Sequence, residues 1–310
     1  MSIKEHVKSS GIIGLRIYHF LVTAKLFFSR WIFSDEQVTR RLFRKSFGRE
    51  LNLDNPTTLN EKMQWLKLND HKPVYTTLAD KYAVRKWVAD RFGEEYLVPL
   101  LYETTNYKDI KIENIPDEHC VVKANHDNAH YKIIRDKTKV NYKELRENCR
   151  FWLSLNFYRE IKEWQYKNIK PRRILIEKLL ETKDGKIPND YKLHYINGKL
   201  AFVYVSYDRE GVNDRCVYDE NWNRLPFVWV PADSYHEGMN TAEVPCPGSF
   251  ELMKKFGSEI AKDFKYVRVD YYDVDGKLYF GEITLHHGSG LDHFFPEEYD
   301  RIYGEKLNLH

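Results

Sequence analysis

Near the C-terminus the chain reads RVDYYDVDGKLYFGEITLHHGSG, from Arg268 to Gly290. Two runs of aromatic and β-branched residues flank Asp273-Val-Asp-Gly276, a combination that predicts a β-hairpin. Each arm also carries charge where a buried strand favours valine: Arg268 and Asp270 before the turn, Glu282 after it. Gly276 suits the left-handed position of a three-residue loop, which pairs Asp273 with Lys277 and sets Arg268 opposite Glu282. Strand side chains alternate between faces, so this register gathers Arg268, Asp270, Phe280, Glu282 and Thr284 on one face, with Val267, Val269 and Ile283 on the other. A two-residue loop at Asp275-Gly276 instead puts Asp270 and Glu282 on opposite faces. The longer loop is preferred because it collects the polar groups. Two carboxylates and an arginine on one face fit a structural ion pair. They fit a magnesium site equally, since Mg²⁺ takes one or two carboxylates together with substrate phosphate oxygens. In that case Arg268 holds a phosphoryl group in transfer.

The rest of the chain sets the context. Its 310 residues suffice for one large domain or two to three small ones, with apolar and charged fractions of an ordinary folded protein. A net charge of +3 gives no basic surface of the kind that coats nucleic acid. Cys120, Cys149, Cys216 and Cys246 form no CxxC pair, which suits neither a zinc knuckle nor a disulfide framework and points to a reducing cytoplasm. Residues 12 to 33 are apolar but interrupted by Arg16, His19, Lys25 and Arg30, so they fall short of a membrane span. The preferred reading is an amphipathic helix packed on its own domain; peripheral contact with a membrane interface is the other.

From residue 35 to 115 the pattern is mostly helical. Thr58-Leu-Asn-Glu61 has the form of a capping box, and apolar spacing predicts a helix from Leu78 through Arg91, closed by Gly93. Tyr96 to Leu101 reads as a short strand. Beyond Cys120 come strands at Cys120 to Ala124 and Tyr131 to Arg135, a polar loop between them, and a helix from Tyr142 to Trp164. A buried strand from Arg173 to Leu180 follows, then a hairpin over Lys192 to Val205 turning at Asn197-Gly198, and a helix over Ser249 to Asp263. Hairpins mixed with helices make the chain α+β. Four regions are expected: an N-terminal helical segment (1–55), a helical lead-in (56–115), a small lobe (116–180) and a large lobe carrying the metal site (181–310).

Taken in order, several motifs resemble the ATP-grasp enzymes: Ala79-Asp-Lys-Tyr-Ala-Val-Arg85 followed by Val98-Pro99, then Val121-Val-Lys123, then Ile176-Glu-Lys-Leu-Leu180, then Arg268-Val-Asp270 with Gly281-Glu-Ile-Thr284. Thr58-Leu-Asn-Glu-Lys-Met-Gln-Trp65, Trp164 through Arg172, Asp190-Tyr-Lys192 and Gly288-Ser-Gly290 are similar to its TupA-like branch, associated with teichuronopeptide and other cell-surface polysaccharides. The resemblance covers about residues 55 to 305. It implies an ATP-grasp fold, two α+β lobes clamping a nucleotide, with ATP and Mg²⁺ as cofactors.

Residue by residue, it implies that Lys81 and Lys123 meet the phosphates under the loop that includes Asn125 and His126. Glu177 accepts from the adenine amino group, the backbone of Lys178 to Leu180 reads the ring edge, and Asp190 lies on the ribose. Asp270, Glu282 and Thr284 hold Mg²⁺ beside Arg268. Ser289 and Gly290 fall where related ligases bind an acceptor carboxylate, and Asp208 and Arg209 are candidates for substrate contact. His286 and His287, adjacent on a strand, point oppositely and are structural or substrate-facing. One departure stands out: the phosphate-covering loop, Asn125-His-Asp-Asn-Ala-His130, has no glycine, and Asp127 repels a triphosphate unless a cation intervenes.

The expected function is an ATP-dependent carboxylate–amine ligase acting through an acyl phosphate in surface-polysaccharide synthesis. Its substrates carry a carboxylate and an amine and are sugar- or lipid-linked, and it works in the cytoplasm or at the inner face of the membrane. A glycosyltransferase using a nucleotide sugar and a catalytically silent binding protein are the alternatives.

Overall fold

The computed structural model describes residues 11–128 and 130–309, with the side chains of residues 11 and 25–32 outside that description. Two helices open it, α1 (Gly11–Ile32) and α2 (Asp35–Phe47), followed by α3 (Leu59–Asn69), α4 (Val74–Ala79) and α5 (Ala83–Phe92). Thr58 caps α3 with the expected box, its side chain accepting from the Glu61 amide while the Glu61 carboxylate accepts from the Thr58 amide.

The helix expected over Leu78 to Arg91 is two helices, broken at residues 80–82. Asp80 ends α4 and starts α5, its Oδ1 accepting from the amides of Tyr82 at 2.9 Å and Ala83 at 3.3 Å. A local carboxylate competing for backbone donors is what interrupts helices at such residues. The break leaves Lys81 free of either helix face. The helix expected to run to Trp164 likewise stops early, as α6 (Tyr142–Ser154) and the single turn α7 (Tyr158–Ile161).

Four antiparallel strands form the small sheet, in the order β1 (Leu100–Thr104), β4 (Ile174–Lys178), β2 (Cys120–Ala124), β3 (Tyr131–Ile134). Because β1 pairs with β4, the small lobe takes in residues that the sequence reading assigned to the helical lead-in. Its core joins Val122, Ile174 and Ile176 to Leu145, Cys149 and Trp152 of α6. Helix α1 packs on α6 as well. Arg16 pairs with Glu147 at 3.1 Å, and the His19 ring stacks on Phe151. Its other side leaves Ile13, Ile17, Phe20 and Leu21 exposed. The Lys25 and Arg30 side chains lie outside the described residues.

The large sheet runs β10 (Lys277–Thr284), β9 (Tyr266–Val274), β5 (Asp190–Ile196), β6 (Lys199–Tyr207), β7 (Asp214–Tyr218), again all antiparallel. Asn197 and Gly198, both with positive φ, turn β5 into β6 as expected. A short pair, β8 (Val228–Val230) with β11 (His293–Phe295), and the last helix α9 (Glu298–Lys306) complete the lobe. One face of the large sheet, with Leu193, Val203 and Val269, packs on α8 (Phe250–Ala261) and on α4 and α5. The other face is split along its strands. At one end Ile196, Phe202 and Tyr266 join α3 and α9 in a second core. At the other end the same face carries Asp190, Lys192, Arg268 and Asp270. Alternation delivers both halves, since all these residues have the same parity on their strands.

The β9–β10 hairpin departs from the predicted turn. Val274 pairs with Lys277, so the loop has two residues, Asp275 and Gly276, at φ 53° and 88°. Two positive φ values in succession give the turn whose twist suits a hairpin. An irregularity between Phe280 and Glu282 then shifts the register by one, placing Glu282 opposite Asp270 and Thr284 opposite Arg268. Gly281 is the surplus residue of this bulge. A Cβ there would lie 2.9 Å from the Asp270 carbonyl oxygen, closer than a side chain tolerates. The polar groups share a face after all, through a bulge rather than a longer loop. Phe280, expected among them, pairs with Tyr271 and is buried in the core.

Candidate active site

A cleft of about 360 Å³ separates the two sheets, with Lys123 and Glu177 on the small-lobe wall and Asp190, Asp270 and Glu282 on the large-lobe wall. Lys81, Lys178, Leu180 and Arg209 line it too. Lys81 arrives from the α4–α5 break, where its amide donates to the Asn125 carbonyl. Its ammonium reaches Glu282 Oε2 at 3.3 Å and donates to Asn128 Oδ1 at 2.7 Å.

Arg268 lies beneath the cleft, 8% exposed. It donates to both Asp270 oxygens at 2.6 and 2.7 Å, to Glu282 Oε1 at 2.9 Å and to His287 Nδ1 at 2.8 Å. Lys192, directly across the sheet from Asp270, donates to Asp270 Oδ2 at 3.0 Å and to Asp190. Burial pushes the Glu282 carboxyl up, but Lys81, Arg268 and Lys192 together outweigh it and bring the group down to about 2. On the opposite wall Glu177 is held by Lys123 at 2.5 Å and Arg85 at 3.4 Å. Lys123, on an otherwise apolar strand, is thereby paired rather than left as a lone ammonium.

Other expected residues sit elsewhere. Asn125 is fully buried and ties three segments together: its Nδ2 donates to Asp80 at 2.8 Å, and its Oδ1 accepts from the Arg173 amide at 2.8 Å. His126, also buried, bonds the Trp152 carbonyl at 3.1 Å, and burial lowers its imidazole to about 4. Neither lines the cleft; Asp127, Asn128 and His130 of the same loop do. Asp127 is turned onto His130, whose amide and ring both lie 3.1 Å away, and Lys81 adds to the pull that holds it below the usual carboxylate range against burial. Asn128 bridges Lys81 to the Tyr166 hydroxyl, 2.5 Å from its Nδ2. Side chains thus hold this glycine-free loop; Ala129 lies outside the described residues.

Ser289 and Gly290 face α3 rather than a cavity. Their carbonyls accept from Gln64, and the Ser289 hydroxyl bonds the buried Lys67 at 2.9 Å. Burial lowers that ammonium to about 8. Asp208 organises its own turn by accepting from the Val212 amide, which leaves Arg209 over the Tyr272 ring at 5.5 Å. Thr284, behind Glu282, lies 3.4 Å from Oε1. His286 packs near Glu163, 3.7 Å away, while His287 turns to Arg268, so the two do point apart.

Magnesium needs one or two carboxylates and otherwise takes phosphate oxygens and water. Asp270 and Glu282, paired in register at the cleft wall, fit that demand, and Asp270 Oδ1 and Glu282 Oε2, with one partner each, keep a lone pair beyond their present bonds. Among the described residues no group of three or more His, Cys, Asp or Glu is arranged to cage a metal. At the mouth, Arg135 of the small lobe bonds Glu181 at 3.4 Å and Glu210 of the large lobe at 2.6 Å.

The family model for the TupA-like ATP-grasp matches residues 61–308. The chain belongs to the TupA-like ATP-grasp family. Solved structures with similar folds include the ATP-grasp ligase PsnB complexed with a minimal precursor, with 10% identity, 73% of this chain and 60% of that one covered, and a TM-score of 0.38. D-Alanine–D-alanine ligase from Helicobacter pylori matches with 12% identity, coverage of 82% and 68%, and a TM-score of 0.43. The macrocyclase MdnC bound with precursor peptide MdnA from Microcystis aeruginosa MRC gives 13%, 76% and 63%, and 0.38. The TupA-like chain spans 60% of the length of the first of these. A comparison with curated proteins finds no match.

In this TupA-like site Lys192, Asn128, Arg85 and His287 have contacts that the sequence reading did not assign. Lys192 was the most accessible of them: Asp190, Lys192 and His194 alternate along one strand, so their polar face was written in the spacing. Arg85 closes the Ala79–Arg85 motif, though its contact depends on the helix break, while Asn128 depends on the lobe contact and carries no local signal.

Proposed function

We propose that the chain is an ATP-dependent carboxylate–amine ligase of cell-surface polysaccharide synthesis, with sugar- or lipid-linked substrates. The observation that carries this reading is the register pair Asp270–Glu282, clamped by Arg268, facing Lys81 and Lys123 across one cleft. Lys81 and Lys123 meet the phosphates, Glu177 and the Lys178–Leu180 backbone read adenine, and Asp190 takes the ribose. Asp270 and Glu282 would hold Mg²⁺, which supplies charge neutralisation on the phosphates. The substrate carboxylate oxygen attacks the γ-phosphorus, the bond to the β-phosphate oxygen breaks, and ADP leaves. An acyl phosphate results. The amine nitrogen then bonds the acyl carbon, phosphate departs, and the nitrogen loses its proton. Arg268, rigidly oriented and poor in water, stabilises charge spreading over the transferred group.

One observation favours a silent binding protein instead: the side-chain bonds that fasten the glycine-free loop. Thermal unfolding with Mg·ATP, Mg·UDP-sugar or Mg²⁺ alone, repeated for Asp270→Asn, separates the readings. A ligand at about 100 times its Kd raises the midpoint by several degrees. A shift selective for ATP and weakened by the substitution is expected, with ADP released once acid and amine are supplied. Stabilisation by the UDP-sugar alone would transfer the site to glycosyl transfer, and an ATP shift without turnover on any acid would leave a binding role.

The exposed residues of α1 suit peripheral contact with a membrane interface. Among the described residues no helix is long and apolar enough to cross a membrane.

A further inference from the structure

Beside the nucleotide cleft lies a second pocket of about 470 Å³ on the same face of the large sheet. It is not a separate surface dimple. Lys192 forms the wall between the two, lining the second pocket while its ammonium bonds Asp190 and Asp270 of the first. Asn213 lines both cavities. His287 lines the second and accepts from Arg268 beneath the first. A molecule in this pocket therefore borders the residues assigned to phosphoryl transfer.

Besides Lys192, whose ammonium is committed to Asp190 and Asp270, the lining carries Arg215 and Asp292. On one side stands Arg215. Its Nη1 is spent on the Asn213 side chain at 2.8 Å and on the backbone of Asn213 and Asp214, which fixes the guanidinium at the start of β7. The guanidinium also lies close to the buried Tyr204 hydroxyl. On the other side stands Asp292, its carboxylate 3.3 Å from His287 Nε2 and packed against Gly288. Tyr204, itself buried, lines the pocket together with both of them.

His287 is fixed by its neighbours. Arg268 is a donor only, so Nδ1 must accept and the ring proton must sit on Nε2, toward Asp292. Burial and Arg268 keep the imidazole neutral by lowering its pKa, so it adds no charge that would cancel Asp292. A fixed cation, a fixed anion and small polar groups in the same lining (Ser206, Ser234) make a site for a ligand with charges of both signs.

We propose that this pocket seats the amine-bearing substrate as a zwitterion, an amino acid whose carboxylate meets Arg215 and whose ammonium meets Asp292. The assignment rests on the ligase reading for its role in catalysis, though binding alone does not require turnover. It makes Arg215 and Asp292 the residues that read the amine substrate, in place of Ser289 and Gly290.

The test is thermal unfolding of the full chain with the common α-amino acids, β-alanine and 4-aminobutyrate, each beside its N-acetyl and carboxamide derivative, with and without Mg·ADP. At least one free amino acid should raise the midpoint by a few degrees, and blocking either end should abolish the shift. Arg215→Gln and Asp292→Asn should each remove the amino-acid shift and keep the ADP shift, which also reports that the variants are folded. Should either variant fail to fold, Arg215→Lys and Asp292→Glu take its place, with weakened rather than lost response expected. Equal stabilisation by a blocked derivative, survival of the shift in both variants, or no response to any zwitterion beside a normal ADP response would overturn the proposal. An amino-acid shift without an ADP shift would sink the ligase reading and leave the pocket assignment standing.

Discussion

Gly281 shows how much a single residue carries here. Its missing side chain lets β10 approach the Asp270 backbone, and the surplus residue sets Glu282 opposite Asp270. Gly281→Ala should push the bulge from Asp270 and cost about 2 kcal/mol, as overpacking does. The midpoint should fall by a few degrees, and Mg·ATP stabilisation should fall further than global stability. An unchanged ATP response would mean that the Asp270–Glu282 alignment does not depend on the bulge. His126 offers a pH-dependent test. Its folded pKa of about 4 lies below the unfolded value of about 6.5, so between those values the unfolded chain binds the extra proton. The contribution is fully present above about pH 6.5 and is lost as pH falls toward 4, amounting to about 3 kcal/mol. Unfolding free energies of the wild type and His126→Gln from urea titrations should therefore converge by that amount between pH 7 and pH 4. A constant gap would place the imidazole in water.

At the level of elements, most strands were legible because alternation and turn residues mark them locally. Asn197-Gly198 turned where its dipeptide said, and the β9 and β10 arms followed their aromatic pattern. The turn between those arms did not, because Asp275-Gly276 and Val274-Asp-Gly276 suit two loops equally well, and only the bulge at Gly281 reconciles the shorter one with a shared polar face. A lone glycine in a strand is the local sign of such a bulge. The helix break at Asp80 was hidden for another reason: Leu78 and Tyr82 stand four residues apart across it, in step with Val84, Trp87 and Val88, while the Asn125 contact that fixes Asp80 comes from 45 residues away. The same distance hid the role of Asn125, which reads as a loop residue and serves as a clamp. Helix α1 invites a test of its own. Ile13, Ile17, Phe20 and Leu21 follow helical spacing on its exposed side, while the side toward α6 is fastened by Arg16 and His19. Flotation with anionic phosphatidylglycerol vesicles should carry the protein upward, and Ile17→Glu with Phe20→Glu should abolish this without lowering the unfolding midpoint. Equal flotation of the variant would leave this face without a membrane role.

On the scale of the whole molecule, two sheets face each other across the cleft proposed for the nucleotide, and charged side chains stand on both walls. Within the cleft Lys81 and Glu282 are held by several partners at once, so no single deletion isolates one of them. Arg135 and Glu210 at the mouth are different: each is about two-fifths exposed, at 41% and 43%. Exposed pairs of this kind are screened by solvent and contribute about 0–1 kcal/mol, which corresponds to at most about a five-fold bias in an opening equilibrium. A bar that weak cannot set the residence time of a nucleotide. Dissociation should then be governed by the phosphate contacts inside, with the mouth opening many times for each departure. Stopped-flow release of a fluorescent ATP analogue should be nearly unchanged in Arg135→Ala and should quicken with added salt equally in both proteins. A rate that rises ten-fold in the variant, and loses its salt dependence, would show instead that the mouth is the gate.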